Sequence, residues 1–285
     1  MRALVTGGVG FVGTNLIKRL INDGHNVISL DNYSTGNKEN EQAECEYINV
    51  NITEDINTVL ISPWIDKPDV IFHMAALPRI KPSFENPTEV IDVNVKGTTN
   101  VLDYARHNKI PVIYAGTSSF WGGVYKNPYT FSKWQGEEIC KMYEKIYGLS
   151  VTICRFYNVY GEHMPTKGEY RTVLPIFLEQ YRKGKPLTIT SDGEQRRDFT
   201  HVDDIIDAMM KIVQLNKWGS VYELGRGKNY SINEIADLFG QEKIYIDEIP
   251  GETRNTLCKS ELARDELNWK PKINLDEWIG EQICE

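Results

Sequence analysis

The stretch MRALVTGGVGFVGTNLIKRLINDGHNVISLD, residues 1–31, predicts how this chain begins to fold. Residues 3–5 are a short apolar run typical of a buried strand, and a glycine-rich turn follows at residues 6–10. Apolar residues at helical spacing predict a helix over residues 11–21, and the next apolar run is a strand that ends on Asp31. Strand, glycine turn, helix, strand and acid, in that order, are typical of a dinucleotide-binding unit.

The glycine spacing and the final acid each suit one part of a dinucleotide. Gly8-x-Gly10-x-x-Gly13 lets the backbone turn sharply and approach a pyrophosphate, whose charge the helix N-terminus favours. Asp31 can accept hydrogen bonds from the adenosine ribose hydroxyls and would repel a 2′-phosphate, so it favours NAD over NADP. The alternative, a glycine-rich turn that binds no ligand, is disfavoured by the strand before it and the helix after it.

Composition narrows the class of protein. The chain has 285 residues, 41% hydrophobic and 25% charged, which is ordinary for one large domain or two closely packed ones. A net charge of −8 argues against a nucleic-acid-binding surface. We expect no membrane span, and no signal peptide before the first strand. Five cysteines without a CxxC pair predict a cytoplasmic protein with reduced thiols and no metal site: Cys45, Cys140, Cys154, Cys258 and Cys284.

Strands and helices alternate along the rest of the first half. The further predicted strands are 47–50, 69–73, 111–115 and 151–155, and the predicted helices are 53–61, closed by Pro63, 87–107 and 131–147. This alternation predicts an α/β fold with a doubly wound parallel Rossmann sheet.

After residue 160 the predicted elements become smaller. They are helices at 173–183, 202–215, 231–239, 261–267 and 275–283, and strands at 187–189 and 221–224. We expect residues 1–160 to form the NAD-binding domain, with residues 200–225 rejoining its sheet. Residues 161–285 are then a smaller, interleaved substrate-binding region.

A tyrosine and a lysine four residues apart form a second candidate site. Tyr129 and Lys133 share one face at the start of a helix, and an ammonium group beside a phenol favours the phenolate. Such a tyrosine can remove a proton from a sugar hydroxyl while hydride leaves for the cofactor. Taken alone, this spacing is common and describes a surface pair. Here it follows a complete NAD fingerprint and the polar strand end Gly116-Thr117-Ser118-Ser119, which favours the catalytic interpretation.

From these motifs the chain resembles an extended short-chain dehydrogenase/reductase of the NAD-dependent nucleotide-sugar epimerase/dehydratase family. The resemblance runs from end to end. Its motifs stand here as Thr6-Gly-Gly-Val-Gly-Phe-Val-Gly13, Asp31-Asn32, His73-Met-Ala-Ala76, Asn94-Val-Lys-Gly97, Thr117-Ser-Ser-Phe-Trp-Gly122, Tyr129-x-x-x-Lys133, Arg155-Phe-Tyr-Asn-Val-Tyr-Gly161, Arg197-Asp-Phe-Thr-His-Val-Asp203, Pro250-Gly-Glu-Thr-Arg254 and Leu267-Asn-Trp-Lys-Pro271. In the family alignment the three glycines are Gly7, Gly10 and Gly13.

The resemblance implies a role for each matching position. Tyr129 is the catalytic base, Lys133 holds the nicotinamide ribose, and Thr117 hydrogen-bonds the reacting sugar oxygen. The implied cofactor-binding residues are Gly7, Gly10, Phe11, Val12, Gly13, Asp31, Asn32, Asn51, Ile52, Ala75, Ala76, Asn94, Tyr129 and Lys133. The implied substrate-binding residues are Thr117, Ser118, Ser119, Asn158, Arg197 and Arg254, with both arginines at the diphosphate. His73 shapes the turn beneath the pyrophosphate, and His163 and His201 are expected to be polar loop residues.

The expected reaction is NAD-dependent epimerisation of a nucleoside-diphosphate sugar at C4, through a 4-keto intermediate. A 4,6-dehydratase needs further acid–base groups, which the family supplies as an Asp-Glu pair after the catalytic threonine, and decarboxylases keep the Glu. Here Ser118 and Ser119 stand there. The dehydratase or decarboxylase stays an alternative if a carboxylate such as Glu162 reaches in, because the stretch between Gly122 and Tyr129 is shorter than is usual in the family. A non-catalytic NAD sensor is the other alternative.

The resemblance also implies an assembly. In the family, the helices that match residues 87–107 and 131–147 often pack against their twins around a two-fold axis. A homodimer built on a four-helix bundle is therefore expected. The alternative is that both helices simply cover the sheet of a monomer.

Overall fold

A seven-stranded parallel sheet forms the centre of the protein in a computed structural model that describes residues 1–60, 67–248 and 251–284. In chain order the strands are β1 (Arg2–Thr6), β2 (Asn26–Asp31), β3 (Cys45–Asn49), β4 (Val70–His73), β5 (Val112–Thr117), β6 (Val151–Phe156), β7 (Val159–Tyr160), β8 (Leu187–Thr190), β9 (Arg196–Asp198), β10 (Thr200–His201), β11 (Val221–Leu224), β12 (Asn229–Ser231) and β13 (Lys243–Ile246). The central sheet runs β11-β6-β5-β4-β1-β2-β3, with every neighbouring pair parallel.

Helices cover both faces of this sheet. They are α1 (Phe11–Asn22), α2 (Asn57–Leu60), α3 (Ile80–Glu85), α4 (Pro87–Ile91), α5 (Thr98–Asn108), α6 (Pro128–Tyr147), α7 (Val173–Arg182), α8 (Val202–Gln214), α9 (Ile232–Asp237), α10 (Leu262–Leu267) and α11 (Leu275–Cys284). Within the described ranges, none of these helices combines the length and apolar character that a membrane span requires. The fold is α/β with a doubly wound Rossmann-like sheet, as predicted.

Successive residues of each strand point to opposite faces of the sheet, which separates the core into two layers. Ala3 and Val5 face a layer that contains Leu16 of α1 and Met209 of α8, and Leu4 faces the other layer. That second layer is filled from α5 and α6. Because both faces are covered, the strands are nearly continuous apolar runs, which is why they are readable in the sequence.

A third apolar cluster stabilises the smaller region beside the sheet. It contains Phe177 of α7, Ile189 of β8, Ile235 of α9 and Trp278 of α11. Three two-stranded pairings accompany it: β10 with β7, β12 with β9, and β13 with β8. Of these strands only β8 was predicted, at residues 187–189, because two to four residues are generally too few to show a periodic pattern.

Most predicted elements are confirmed with small changes at their ends. The strand at residues 221–224 pairs with β6 and does rejoin the sheet. Helix α6 begins at Pro128, three residues before the predicted start. The reason is that the Asn127 side chain accepts a hydrogen bond from the backbone N–H of Thr130 at 2.8 Å and caps the first turn. The helix predicted at 87–107 is α4 and α5, joined by a π-helical segment, Asp92–Gly97.

Two other expectations need correction. Of the helix predicted at 53–61 only α2 is helical, and its predicted end at Ile61 and Pro63 lies outside the described residues. His201 is not a loop residue: it is buried on β10 and caps α8, where its Nδ1 accepts a hydrogen bond from the backbone N–H of Asp203 at 3.2 Å. Helix α3 was missed because its six residues carry a proline and three polar side chains.

Candidate active site

A cleft of about 720 Å³ lies at the carboxyl ends of the strands, where the strand order reverses between β1 and β4. The cleft has two sides. The loops after β1, β2, β4 and β5 form one side, which we call the sheet wall. The residues within 165–199 and 252–256 that line the cleft form the other, which we call the outer wall. Most of the expected site residues line this cleft: Gly7, Gly10, Phe11, Val12, Gly13, Asp31, Asn32, Asn51, Ile52, Ala75, Ala76, Thr117, Ser118, Ser119, Tyr129, Lys133, Asn158 and Arg197.

The glycine turn leaves one part of the sheet wall, the loop after β1, with little side-chain bulk. Gly7 has a φ of +74°, and a Cβ added there would lie 2.8 Å from backbone atoms of Ala75. A Cβ on Gly13 would lie 2.1 Å from the carbonyl oxygen of Gly7. Gly8 instead faces Ser29, 2.1 Å from where its Cβ would be. The glycines that face the cleft are therefore Gly7, Gly10 and Gly13, the set that the resemblance implied.

Asp31 lies buried at the end of β2, also on the sheet wall. Its carboxylate accepts hydrogen bonds from the backbone N–H of Val9 at 3.0 Å and of Tyr33 at 2.8 Å. Burial raises the pKa of Asp31, and these backbone hydrogen bonds oppose the shift. The backbone thus fixes a carboxylate beside the glycine turn, at the position that contacts a ribose in dinucleotide-binding units.

Thr117 and Tyr129 meet in the middle of the cleft. Thr117 ends β5, and its hydroxyl accepts a hydrogen bond from the backbone N–H of Ser119 at 3.2 Å. Burial raises the pKa of the Tyr129 phenol, while a hydrogen bond with Thr117 and the charge of Arg79 both lower it. A phenol under such opposing influences suits a group that must give and take a proton.

Lys133 lies one helical turn after Tyr129 and is almost wholly buried. Its ammonium stands 4.2 Å from the centre of the Tyr114 ring, and burial lowers its pKa to about 8. His73, beneath it, is also buried, and burial lowers the pKa of its imidazole to about 3, so the ring is neutral. Its Nδ1 lies 2.7 Å from the hydroxyl of Thr6. His73 therefore supports the strand end and carries no charge.

Asn94 does not line the cleft, although the resemblance implied a cofactor contact. It is buried in the π-helical segment, where its side-chain oxygen accepts a hydrogen bond from the backbone N–H of Leu77 at 2.8 Å. Its Nδ2 donates to the hydroxyl of Ser132 at 2.9 Å. Asn94 thus ties the loop after β4 to α6, and it positions Tyr129 and Lys133 from behind.

An arginine of the outer wall and an asparagine just after β6 line the same cleft. Arg197, on β9, forms an ion pair with Glu252 at 3.4 Å, and its side chain is 13% exposed. Asn158 donates a hydrogen bond to the carbonyl of Asp198, the residue after Arg197, at 2.9 Å. The resemblance assigns both residues to the sugar nucleotide.

Two other expected contributors lie elsewhere. Arg254 forms a bidentate ion pair with Asp192 at 2.7 and 2.8 Å, and its side chain is 59% exposed and outside the cleft. Asp192 is 62 residues away in sequence, so no local pattern shows this pairing. Glu162 pairs with Lys18 at 3.2 Å, and its side chain is 72% exposed. It therefore supplies no carboxylate to the cleft.

Arg79 is one of several charged residues of the cleft that the sequence analysis did not identify. Arg79 follows the loop after β4, has a φ of +106°, and donates from Nε to the carbonyl of Tyr170 at 3.0 Å. Ligands bind at the carboxyl ends of parallel strands, so a charged residue this soon after Ala75-Ala76 was the available signal. Its contact with Tyr170, 91 residues away, is not visible in the sequence.

The sheet wall fits NAD. A bare backbone turn at the N-terminus of α1 leaves room for a pyrophosphate, and a buried carboxylate stands beside it. Residues 3–225 match the NAD dependent epimerase/dehydratase family. The chain belongs to that family, and NAD is its cofactor.

Relatives with assigned names include epimerases and decarboxylases. A putative UDP-glucose 4-epimerase of Methanocaldococcus jannaschii is 35% identical, over 97% of this chain and 95% of that protein. A UDP-N-acetyl-alpha-D-glucosaminuronate decarboxylase of Bacillus cytotoxicus is 28% identical, over 99% of this chain and 96% of that protein. The crystal structure of UDP-glucose 4-epimerase from Thermotoga maritima with UDP-glucose has a TM-score of 0.92 at 26% identity, covering 100% of this chain and 98% of that one. The chain is thus similar to enzymes that act on nucleotide sugars.

Proposed function

We propose that this protein is an NAD-dependent epimerase that inverts C4 of a nucleoside-diphosphate hexose. The observation that carries the proposal is the meeting of Thr117, Tyr129 and Lys133 beside the glycine turn, with two serines after the threonine. A sensor that only bound NAD would have no need of these three groups in one cleft. The names of the relatives support a nucleotide sugar as substrate.

Each group has a defined part in the reaction. Thr117 donates a hydrogen bond to O4 of the sugar and orients it towards Tyr129. Tyr129 takes the O4 proton and later returns it, and the Lys133 ammonium favours the phenolate form. NAD, when bound, accepts hydride from C4 and returns it to the opposite face of the resulting ketone. The sugar must turn over between these two steps while its diphosphate stays anchored.

Arg197 is the proposed anchor for the diphosphate. A guanidinium fork suits this bidentate anion, and Arg197 exchanges its contact with Glu252 for the diphosphate when substrate binds. Asn158 lies beside it and binds the same part of the substrate. We accordingly assign NAD binding to residues 1–160 with 200–225, and substrate binding mainly to residues 161–285.

Epimerisation is favoured over dehydration or decarboxylation by the groups next to Thr117. Removal of water from C5 and C6 requires an acid and a base near C6, and serine hydroxyls ionise at no useful pH. Ser118 and Ser119 line the cleft at that position, and Glu162 points away from it. Epimerisation needs only the hydride and the one proton that Tyr129 handles.

Incubation of UDP- and GDP-hexoses, and of the corresponding hexuronic acids, with the enzyme in deuterated water tests this proposal. Chromatography followed by mass spectrometry should find a C4 epimer that separates from the substrate at unchanged mass, without deuterium at C5. A product that has lost water and gained deuterium would identify a dehydratase instead. A product that has lost carbon dioxide would identify a decarboxylase. No conversion of any nucleotide sugar would contradict the enzyme assignment altogether.

The proposed enzyme is a cytoplasmic homodimer. The exposed side of the α4–α6 pair carries Ile91, Met142, Ile146 and Tyr147, which are 38% to 64% exposed. A two-fold pairing of these helices would bury them. All five cysteines are free thiols, as a reducing compartment allows. Light scattering at micromolar concentration should give the mass of two chains, and the mass of one chain would refute the dimer.

A further inference from the structure

Arg79 is a charge in the cleft for which the reaction so far has no use. It lines the sheet wall with Thr117, Ser118 and Tyr129, and its side chain is half-buried. Nε donates to the carbonyl of Tyr170, which leaves both terminal nitrogens without a hydrogen-bond acceptor in the described part of the chain. Nor does any carboxylate of residues 1–60, 67–248 and 251–284 form an ion pair with it.

The backbone conformation of Arg79 and the burial of its charge both cost free energy, which a bound anion would offset. Its φ of +106° lies in a region that side chains other than glycine rarely adopt, and such strain is found mainly at functional sites. A half-buried guanidinium without an anion is unfavourable, and burial accordingly lowers its pKa. The other cleft arginines on the outer wall have carboxylate partners, Glu252 for Arg197 and Glu179 for Arg171.

An anion bound by the terminal nitrogens of Arg79 would lie close to the reacting carbon of the sugar. Arg79 lines the cleft together with Thr117 and Tyr129, and its charge acts on the Tyr129 phenol. In the proposed reaction Tyr129 exchanges the proton of O4, so C4 of the sugar lies in the part of the cleft that the charge of Arg79 reaches. The ring carbon next to C4 is C5, which carries C6. A carboxylate at C6 is therefore within reach of the guanidinium fork, and this pairing is bidentate.

We propose that the substrate is a nucleoside-diphosphate uronic acid, whose C6 carboxylate is bound by Arg79. This inference rests on the epimerase function proposed above and specifies its sugar. Ser118 and Ser119 line the cleft beside Thr117 and can donate further hydrogen bonds to the same carboxylate.

Binding of the carboxylate by the guanidinium of Arg79 also affects what happens to the sugar after its oxidation at C4. Oxidation of such a sugar at C4 gives a β-keto acid, which breaks the C5–C6 bond and releases carbon dioxide as the electron pair moves into an enolate. A guanidinium that holds the negative charge on the carboxylate opposes this movement. Arg79 thereby keeps C6 on the sugar, and the product is the C4 epimer with its carboxylate intact.

The test compares UDP-glucuronic acid with UDP-glucose in the wild-type enzyme and in Arg79→Met. The wild type should have a kcat/KM for the acid at least about tenfold above that for the neutral sugar. Arg79→Met should lower kcat/KM for the acid relative to the neutral sugar about 10- to 100-fold, since hydrogen bonds to charged groups are worth this much, and a smaller loss common to both sugars reports the missing charge near Tyr129. Arg79→Lys keeps the positive charge but not the guanidinium fork, so its kcat/KM for the acid should lie between the values for the wild type and Arg79→Met.

Arg19→Met is the matched control. Arg19 lies in the last turn of α1, pairs with Asp23 and does not line the cleft, so its loss should leave the preference for the acid unchanged. NAD binding by each variant shows that it is folded. Methionine, like arginine, carries a Cβ and an unbranched side chain, so the backbone strain at position 79 is expected to be matched as well.

Several results would overturn the inference. One is equal or better turnover of UDP-glucose by the wild type, which would leave the epimerase proposal intact. Another is an equal loss for both sugars in Arg79→Met, which would make Arg79 a residue that acts through Tyr129. Release of carbon dioxide from the acid by the wild type would also overturn it, because Arg79 would then not keep C6 on the sugar. Failure to convert any nucleotide sugar would contradict both proposals.

Discussion

The two walls of the cleft hold their polar groups in different ways. On the sheet wall the backbone does so: the glycine turn packs directly on itself, and backbone N–H groups of Val9 and Tyr33 fix Asp31. On the outer wall, charged side chains hold one another, as Glu252 holds Arg197. A backbone site is complete before its ligand arrives, whereas an ion pair must open when an anion binds.

This difference matches the different demands that the proposed reaction makes on the two ligands. In the proposed epimerisation NAD stays bound through each cycle, because the hydride it accepts is returned, and a rigid backbone site suits it. The nucleotide sugar would enter, turn and leave, and exchangeable side-chain contacts suit that cycle. Substitutions in the glycine turn and at Asp31 should therefore change NAD binding and stability, and those on the outer wall should change substrate binding alone.

Tyr129→Phe should have the largest effect on activity, because it removes the hydroxyl proposed to take the proton from O4 of the sugar and to return it. General acid–base groups contribute about 10²- to 10⁴-fold, so kcat should fall about 1,000-fold while NAD affinity is kept. Tyr125→Phe, four residues earlier and 82% exposed, is the control and should retain full activity. Loss of NAD binding in Tyr129→Phe would show that the tyrosine belongs to the cofactor site instead.

Gly13→Ala tests the rigidity of the sheet wall. The new Cβ would lie 2.1 Å from the carbonyl oxygen of Gly7, so the turn must shift. Overpacking costs about 1–3 kcal/mol, and we expect a loss of this size in the unfolding free energy together with weaker NAD binding. Urea titration and fluorescence titration with NAD measure the two effects.

Gly280→Ala is its matched control. Gly280 lies in α11 with nothing within 4 Å of an added Cβ, so alanine should stabilise the protein by about 0.5–1 kcal/mol. A Gly13→Ala protein as stable as this control would contradict a tight backbone site.

Arg197→Met is the corresponding change on the outer wall. Hydrogen bonds to charged groups contribute about 1.5–3 kcal/mol, so the KM for the nucleotide sugar should rise about 10- to 100-fold with NAD affinity unchanged. Arg254→Met should leave KM unchanged, because Arg254 pairs with Asp192 outside the cleft. Equal effects of the two variants in steady-state kinetics would show that Arg254 also reaches the diphosphate.

Lys133→Met should have a smaller effect, which is on the free energy of unfolding. The size of this effect depends on pH. Burial lowers the pKa of Lys133 from 10.5 to about 8, so between these values the unfolded chain binds more protons than the folded one. Wild-type stability therefore gains from this lysine as the pH rises through that window. At pH 7 the NAD-free variant should be more stable than the wild type by about 1–3 kcal/mol, since one pKa unit corresponds to about 1.4 kcal/mol.

The advantage of Lys133→Met should shrink as the pH rises from about 8 to 10.5. Urea unfolding of both NAD-free proteins across this range measures it. A variant that is less stable at neutral pH, or an advantage that grows with pH, would show that the buried ammonium is well compensated in the fold.

The contrast between the walls also explains what the sequence could predict. The sheet wall depends on local geometry: glycine spacing, a strand-ending acid and helix periodicity are visible in Gly7, Gly13 and Asp31. Parallel strands then bring their ends together without further information. The outer wall and the base of the cleft depend on contacts between distant segments. Arg254 was misplaced because its partner lies 62 residues away.

Arg79 was missed for a similar reason, since its contact with Tyr170 spans 91 residues. Asn94 shows a different difficulty. Its family motif was read as a cofactor contact, whereas its amide holds Leu77 and Ser132. A motif shows that a residue is needed at a position, but only the packing around it shows whether it touches the ligand or supports residues that do.

In the proposed reaction, hydride leaves C4 and returns to C4 of the same sugar. UDP-glucose and UDP-glucuronic acid that carry deuterium at C4, with NMR analysis of the product, test this step. The C4 epimer should keep its deuterium at C4. Deuterium found at C6, or lost to the solvent, would contradict it.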